Sequence, residues 1–433
     1  MKVFLAVSLA LLCAGVLADH HKHGKDNGHN DHDHGDHGHD HHNGKGKDHD
    51  HKHHHHSDEH MSCHKIAPFN AQFAFEFYKQ VAVDHPSENI FFSPVSISTS
   101  LALLSLGAKG QTLNQIVEGL DFNTTEISEE DIHKGFQHLL HMLNDPDSEL
   151  QLNSGNALFI RNNLKLIQKF LEDVKNIYGS EAFSTDFQNK EEAKKQINSY
   201  VEKKTHGKIT DLLSSVDEST ALILINYIYF RGKWDKPFDE ELTQDGIFYV
   251  DENTNVTVPM MRRTGMYNVA FDRKLGCTVV QIPYKGNASA LFILPDEGKL
   301  KQVEAALEKP TIMSWKKLFR YQSVRLSIPK FSISAELDLI EVFKKLGVTD
   351  VFSDEADLTG IVEEAKLKVS KAVHKAVLSI DEKGTEAAAA TAFEIMPMML
   401  PPNIQYNRPF LLTIYDMETK HTLFLGRIAN PKN

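Results

Sequence analysis

Apolar positions along this chain follow two periods. Over 69–84 and 128–144 they recur with helical spacing, and the second stretch opens on Ser128-Glu129-Glu130-Asp131, which puts acids where a helix N-terminus favours them. Over 322–334, "QSVRLSIPKFSIS", apolar and polar residues alternate as along a half-buried strand. Two runs, Thr220 to Phe230 ("TALILINYIYF") and Lys371 to Asp381 ("KAVHKAVLSID"), read as long central strands, the first apolar enough to be covered on both faces. Residues 256–295 read as hairpins. Helices come early and strands late, with no internal repeat and no linker from Lys65 to Asn433. The pattern predicts an α+β domain with large sheets.

The N-terminus departs from this pattern twice. "MKVFLAVSLALLCAGVLA" has Lys2, an apolar run too short to span a bilayer, and Val16-Leu17-Ala18 as a cleavage site, so residues 1–18 are expected to be a secretory signal. The mature protein is therefore expected to be secreted, extracellular and soluble. No later run reaches the roughly 18 apolar residues of a membrane span. Residues 19–64 form a His-rich extension: Asp19 to His60 holds 17 His among 42 residues and no apolar side chain, so burial cannot offset its ordering entropy and it is expected to be disordered. Neutral imidazoles such as His51, His53, His54, His55 and His56 suit Zn, Cu or Ni. No other cofactor is called for. The segment 19–60 carries −5 with neutral His and +12 with all of them protonated, so its sign reverses as pH falls through about 6.5.

Without signal and extension the body carries about −8, which argues against nucleic-acid binding. Cys13 leaves with the signal. Cys63 and Cys277 remain; they are no disulfide framework, and a single bridge between them stays open. Asn123, Asn255 and Asn287 stand in Asn-x-Ser/Thr acceptors, as a secreted surface would carry. The chain has no Gly-x-Ser-x-Gly elbow, His-Glu-x-x-His, phosphate-binding loop or dinucleotide fingerprint, and "DLTG" at 357–360 has no partner motif. No catalytic residue is assigned, and an enzyme is the weaker class.

One segment resists the periodic reading. "IDEKGTEAAAATAFEIMPMMLPPN", Ile380 to Asn403, joins two apolar stretches through four alanines, three methionines and three prolines. Pro397, Pro401 and Pro402 refuse regular structure, so an exposed loop is the plain reading. Its composition also suits a second state: extended, Thr385, Ala387, Ala389 and Thr391 face one side and all are small, so the segment could slide between existing strands without overpacking.

With these residues in view, the chain resembles the serpin family, and within it the antitrypsin-like branch, from about Ile66 to Asn433. The resemblance rests on "DEKGTEAAAAT", on "MPM" before "PPN", on "YNRPFLLTIYDMETKHTLFLGRIANP" and on "NIFFSPVSISTSLALLSLGAKGQT". It implies three β-sheets, about nine helices and an exposed reactive-centre loop at about 382–402 in a domain spanning 65–433. It further implies a hinge at Glu382, Gly384, Thr385, Ala387, Ala389 and Thr391, a reactive bond Met398-Met399, and polar shutter residues Ser93, Ser96, Asn226 and His374 beneath the central sheet. Trp234 and Lys330 would mark the breach where the loop first inserts, with Lys330 paired to Glu382. Asn123 and Asn287 fall at family glycan positions, and Asn255 is additional.

What the resemblance implies for activity is a monomeric serine protease inhibitor acting as a suicide substrate. A target would cut Met398-Met399, remain esterified to Met398, and be carried away as the hinge inserts as a new strand. From Glu382 to Met398 is sixteen residue steps, roughly 50 Å when extended. An unbranched apolar Met398 suits elastase-like or chymotrypsin-like pockets and not one awaiting Arg or Lys. Met399 departs from the small polar residue usual there, which leaves Met399-Leu400 as the alternative bond. A non-inhibitory carrier or chaperone serpin, and a metal-buffering secreted protein, are the alternative functions.

Overall fold

The computed structural model describes residues 61–384 and 400–432. Thr385, Ala387, Ala389, Thr391, Met398 and Met399, together with the signal and His51, His53, His54, His55 and His56, lie outside the described residues.

Nine α-helices occur among the described residues: α1 Ser62–Asp84, α2 Pro94–Ser105, α3 Gly110–Gly119, α4 Glu129–Leu143, α5 Gln168–Tyr178, α6 Lys190–Lys204, α7 Leu300–Ala305, α8 Lys309–Leu318 and α9 Leu339–Lys345. The strands are β1 Ile90–Phe92, β2 Gln151–Arg161, β3 Glu181–Thr185, β4 Leu222–Arg231, β5 Gln244–Tyr249, β6 Asn255–Asp272, β7 Cys277–Pro283, β8 Ala288–Pro295, β9 Arg320–Pro329, β10 Phe331–Asp338, β11 Lys371–Ile380, β12 Asn403–Gln405, β13 Phe410–Asp416 and β14 His421–Ile428. They form a five-stranded sheet ordered β10-β11-β4-β2-β3 and a nine-stranded one ordered β1-β14-β13-β8-β7-β6-β9-β12, with β5 on β6. The larger sheet has two parts that share the 18-residue β6, whose first residues pair β5 and whose last pair β7. Counted separately, those parts give the expected three sheets.

The apolar run at 220–230 folds as expected, and its alternation shows why both faces are covered. Leu222, Leu224 and Ile228 enter the main core, whereas Ile223, Ile225 and Tyr227 enter a second cluster with Ile197 and Val201 of α6. Helix α2 is buried along its whole length. It tolerates this because Ser98, Ser100 and Ser105 return their hydroxyls to carbonyls of their own helix. At α4 the acidic start works as predicted: Ser128 caps the helix by accepting from the Asp131 N–H at 3.1 Å.

Three expectations shift. The helix expected from Phe69 begins at Ser62, because Pro68 reads as a helix start but sits inside α1. The ordered body begins earlier than 65, since Met61 and Cys63 are buried. The stretch 322–334 is two strands in different sheets, β9 and β10, parted at Lys330. Cys63 and Cys277 are both free and buried, so no bridge joins them.

Candidate functional site: the loop hinge and the seam beneath it

The geometry that matters lies between β4 and β11. They are parallel neighbours in direct register from Lys371↔Ile223 to Leu378↔Phe230. A chain that leaves β11 at Ile380, turns back and enters between them would run antiparallel to both, which is a sound ladder on each side. In this structure the seam is closed.

A polar cluster sits across its middle. Asn226 and His374 are register partners across the seam, and both are fully buried. The Ser93 N–H donates to His374 Nε2 at 3.1 Å, so the ring proton sits on Nδ1, which donates to Asn226 Oδ1 at 2.5 Å. The Asn226 amide nitrogen donates to Asn156 Oδ1 at 2.7 Å and to Ser96 Oγ at 2.8 Å, and the same hydroxyl lies 3.0 Å from Asn226 Oδ1. Ser93 also caps α2 through the Ser96 N–H. All four sequence-predicted shutter residues are thus in one network. Burial pushes the His374 pKa down to about 3, which keeps the imidazole neutral.

At the upper end of the seam the hinge is pinned. Trp234 is buried, stacks on Tyr284 with ring centroids 4.2 Å apart, and donates from Nε1 to the Asp381 carbonyl at 2.9 Å. The Trp234 N–H donates to the Lys383 carbonyl at 3.2 Å and the Phe238 N–H to that of Glu382 at 2.7 Å. Lys330, at the junction of β9 and β10, pairs with Glu382 at 2.8 Å, and Thr243 Oγ1 donates to the other carboxylate oxygen at 2.8 Å. Only Lys330 is half exposed; the Glu382 side chain is 5 % exposed. Burial pushes the Glu382 pKa up, but the bonds from Lys330 and Thr243 outweigh it and hold it below the usual value. Gly384 has φ +87°, and a Cβ there would lie 2.4 Å from the Gly232 carbonyl oxygen and the Trp234 nitrogen. Only glycine fits that turn.

Sequence reasoning did not single out Asn156, Thr243 or Tyr284. An Asn inside the strand "NSGNALF" was the available signal for the first; nothing local marks the other two. Asn123, Asn255 and Asn287 are all exposed. Among the described residues no group of His, Cys, Asp and Glu could hold a metal ion, and no helix is long and apolar enough to cross a membrane.

The five-stranded sheet thus has a closed parallel seam with a buried polar cluster across it and a glycine turn pinned at its end. The pattern of the family described as Serpin (serine protease inhibitor) matches residues 68–431, and the chain belongs to that family. It is 55 % identical to the alpha-1-antiproteinase of Callosciurus caniceps over 86 % of this chain and 90 % of that protein, and 53 % identical to the alpha-1-antitrypsin of Sus scrofa over 86 % and 89 %. Among solved structures it is similar to human thyroxine-binding globulin complexed with thyroxine, with TM-score 0.81 and 47 % identity over 86 % of this chain and 99 % of that one. Human glycosylated kallistatin gives TM-score 0.81 and 45 % identity over the same shares.

Proposed function

We propose that this protein is a secreted inhibitor of elastase-like or chymotrypsin-like serine proteases, cut at Met398-Met399 and acting by insertion of its own loop. The carrying observation is the closed β4/β11 seam with the hinge turned back at Gly384 against Gly232–Trp234, at the end where insertion must begin. Sixteen steps from Glu382 to Met398 give the loop length to fill that seam. The closed form is held kinetically, because inserting the loop adds a strand paired on both sides. Oxidation of Met396, Met398 and Met399 to sulfoxide would make the bait polar and weaken inhibition. Glycans on Asn123, Asn255 and Asn287, and Zn, Cu or Ni on the His-rich extension, belong to the same reading of a secreted monomer. A single cut within 385–399, followed by thermal melting, tests insertion. The melting temperature should rise well above that of the uncut protein; an unchanged or lower value contradicts insertion.

A carrier role is the second reading, favoured by a cavity of about 510 Å³ between α1, α8 and the nine-stranded sheet, lined by Phe75, Leu291, Ile312 and Tyr415. Ser289 Oγ is buried there without a partner, and Lys316 also lines it. The thyroxine complex of the similar globulin gives that cavity a ligand class to try. Calorimetric titration with thyroxine tests it: saturable binding supports the carrier role, and no heat removes it.

A further inference from the structure

Asn255 opens β6, and its register partner across the hairpin is Tyr249, the last residue of β5; Thr257, the hydroxyl residue of the same acceptor triplet, stands opposite Ile247. Register partners point to one side of a sheet. On this side Tyr249 is 51 % exposed and Ile247 50 %, whereas Phe248 and Val258, which point the other way, are buried. The hairpin therefore shows solvent two large apolar side chains, each directly beside an acceptor residue. The Tyr249 N–H donates to the Asn407 carbonyl at 2.8 Å and so not to β6, while the Val250 N–H donates to the Thr254 carbonyl at 2.9 Å. Tyr249 and Asn255 are thus a non-hydrogen-bonded pair, the kind with the shorter Cα separation of about 4.5 Å. The other two acceptors have their amide nitrogens engaged: Asn123 Nδ2 donates to Glu126 at 2.9 Å and Asn287 Nδ2 to Glu418 at 2.6 Å. The Asn255 side chain has no such partner among the described residues.

We propose that Asn255 carries an N-linked glycan whose first N-acetylglucosamine packs on the Tyr249 ring and covers the Tyr249–Ile247 pair. The inference rests on the secreted reading, because the modification is made in the secretory pathway from a lipid-diphosphate-linked oligosaccharide. Asn255 Nδ2 bonds to C1 of the sugar, the bond from C1 to the diphosphate oxygen breaks, the amide loses one proton and the lipid diphosphate leaves. A tyrosine ring offers a flat apolar body with a negative face and keeps its hydroxyl in water. The C–H groups on one face of a pyranose are apolar and weakly positive, so the two surfaces match. One sugar suffices for two side chains, whereas a stable protein partner buries about 800 Å² on each side. Within the sheet β5 is paired by β6 alone, so a sugar fixed to β6 and resting on β5 clips the hairpin beside its 250–254 turn.

The test uses the full chain, expressed with its own N-terminal residues in mammalian cells restricted to high-mannose glycans, each glycan then trimmed to one N-acetylglucosamine. Glycopeptide mass spectrometry reads occupancy at Asn255, and hydrogen exchange reads the opening of β5 across 244–250. The Asn255 glycoform should exchange about threefold slower or more than Asn255→Gln. Tyr249→Ser should erase that difference and Tyr249→Phe should keep it, since the ring and not the hydroxyl makes the contact. An occupied Asn255 with no difference, or with one that survives Tyr249→Ser, overturns the contact. A secreted protein with Asn255 unoccupied overturns the modification and leaves secretion standing. Retention of the protein inside the cells removes the secreted reading and the glycan together.

Discussion

Replacing Asn226 by Leu removes the polar lock while keeping the size of the side chain. His374 Nδ1–H, Ser96 Oγ and Asn156 Oδ1 then lose the partner that the structure gives them, in a site where all three residues are at most 5 % exposed. Each buried polar group left unpaired costs about 1–3 kcal/mol, so the closed sheet loses about 3 kcal/mol at the low end. An inserted strand would put two strand spacings, about 9.5 Å, between β4 and β11. The Asn226–His374 bond cannot survive that separation, so its share of the penalty, about 1 kcal/mol at the low end, falls on the closed form alone, whereas Asn156 on β2, across β4 from the seam, and Ser96 on α2 lose their partner in either form. Spontaneous conversion should therefore accelerate about fivefold or more. The assay is incubation a few degrees below melting, with native electrophoresis for converted species and residual inhibitory activity. Bait-cleaved protein, where the seam is already filled, should lose less stability than the closed form, by the His374 share of about 1 kcal/mol. A conversion rate within twofold of the unmodified protein, or an equal loss in both forms, would refute the reasoning.

Other outcomes follow from the same geometry. His374 is held neutral in the closed form, with a pKa of about 3 against about 6.5 when unfolded, so its contribution is intact above about 6.5 and is lost as pH falls toward 3; at pH 5 the loss is about 2 kcal/mol, and His374→Asn should flatten the pH dependence of conversion. Lys330→Met leaves the buried Glu382 carboxylate with Thr243 alone; because Lys330 is half exposed the cost is discounted to about 1 kcal/mol, read as a several-fold faster conversion. Gly384→Ala meets backbone atoms that cannot yield, in addition to about 1 kcal/mol for a left-handed alanine, and hydrogen exchange at the Trp234 amide should rise as the Lys383 contact is lost.

Much of the fold was legible because burial writes itself into strand alternation. Thr220–Phe230 and Lys371–Asp381 become β4 and β11 within two residues at each end, and the α4 cap falls on Ser128 as the Ser-Glu-Glu-Asp start predicts. The misses are tertiary. Pro68 lies inside α1 with Ile66, Asn70 and Phe73 buried around it, a tertiary setting that no local rule contains. The strand pattern over 322–334 is real in each half, but one chain corner at Lys330 sends the halves to different sheets. At the site, Asn226 and His374 carried a signal as polar residues in apolar runs. Thr243 and Tyr284 did not, because their roles exist only where distant segments meet, and Asn156 offered no more than an Asn inside a strand pattern. The hinge glycine was visible as a composition feature, whereas its contact with Gly232–Trp234 was not.

The central claim is tested most directly by mixing the mature protein with an elastase or chymotrypsin, separating the products under denaturing conditions and sequencing the released C-terminal peptide. The account predicts a species at the summed mass and a peptide beginning at Met399. Complete cleavage of the loop with no such species would contradict it.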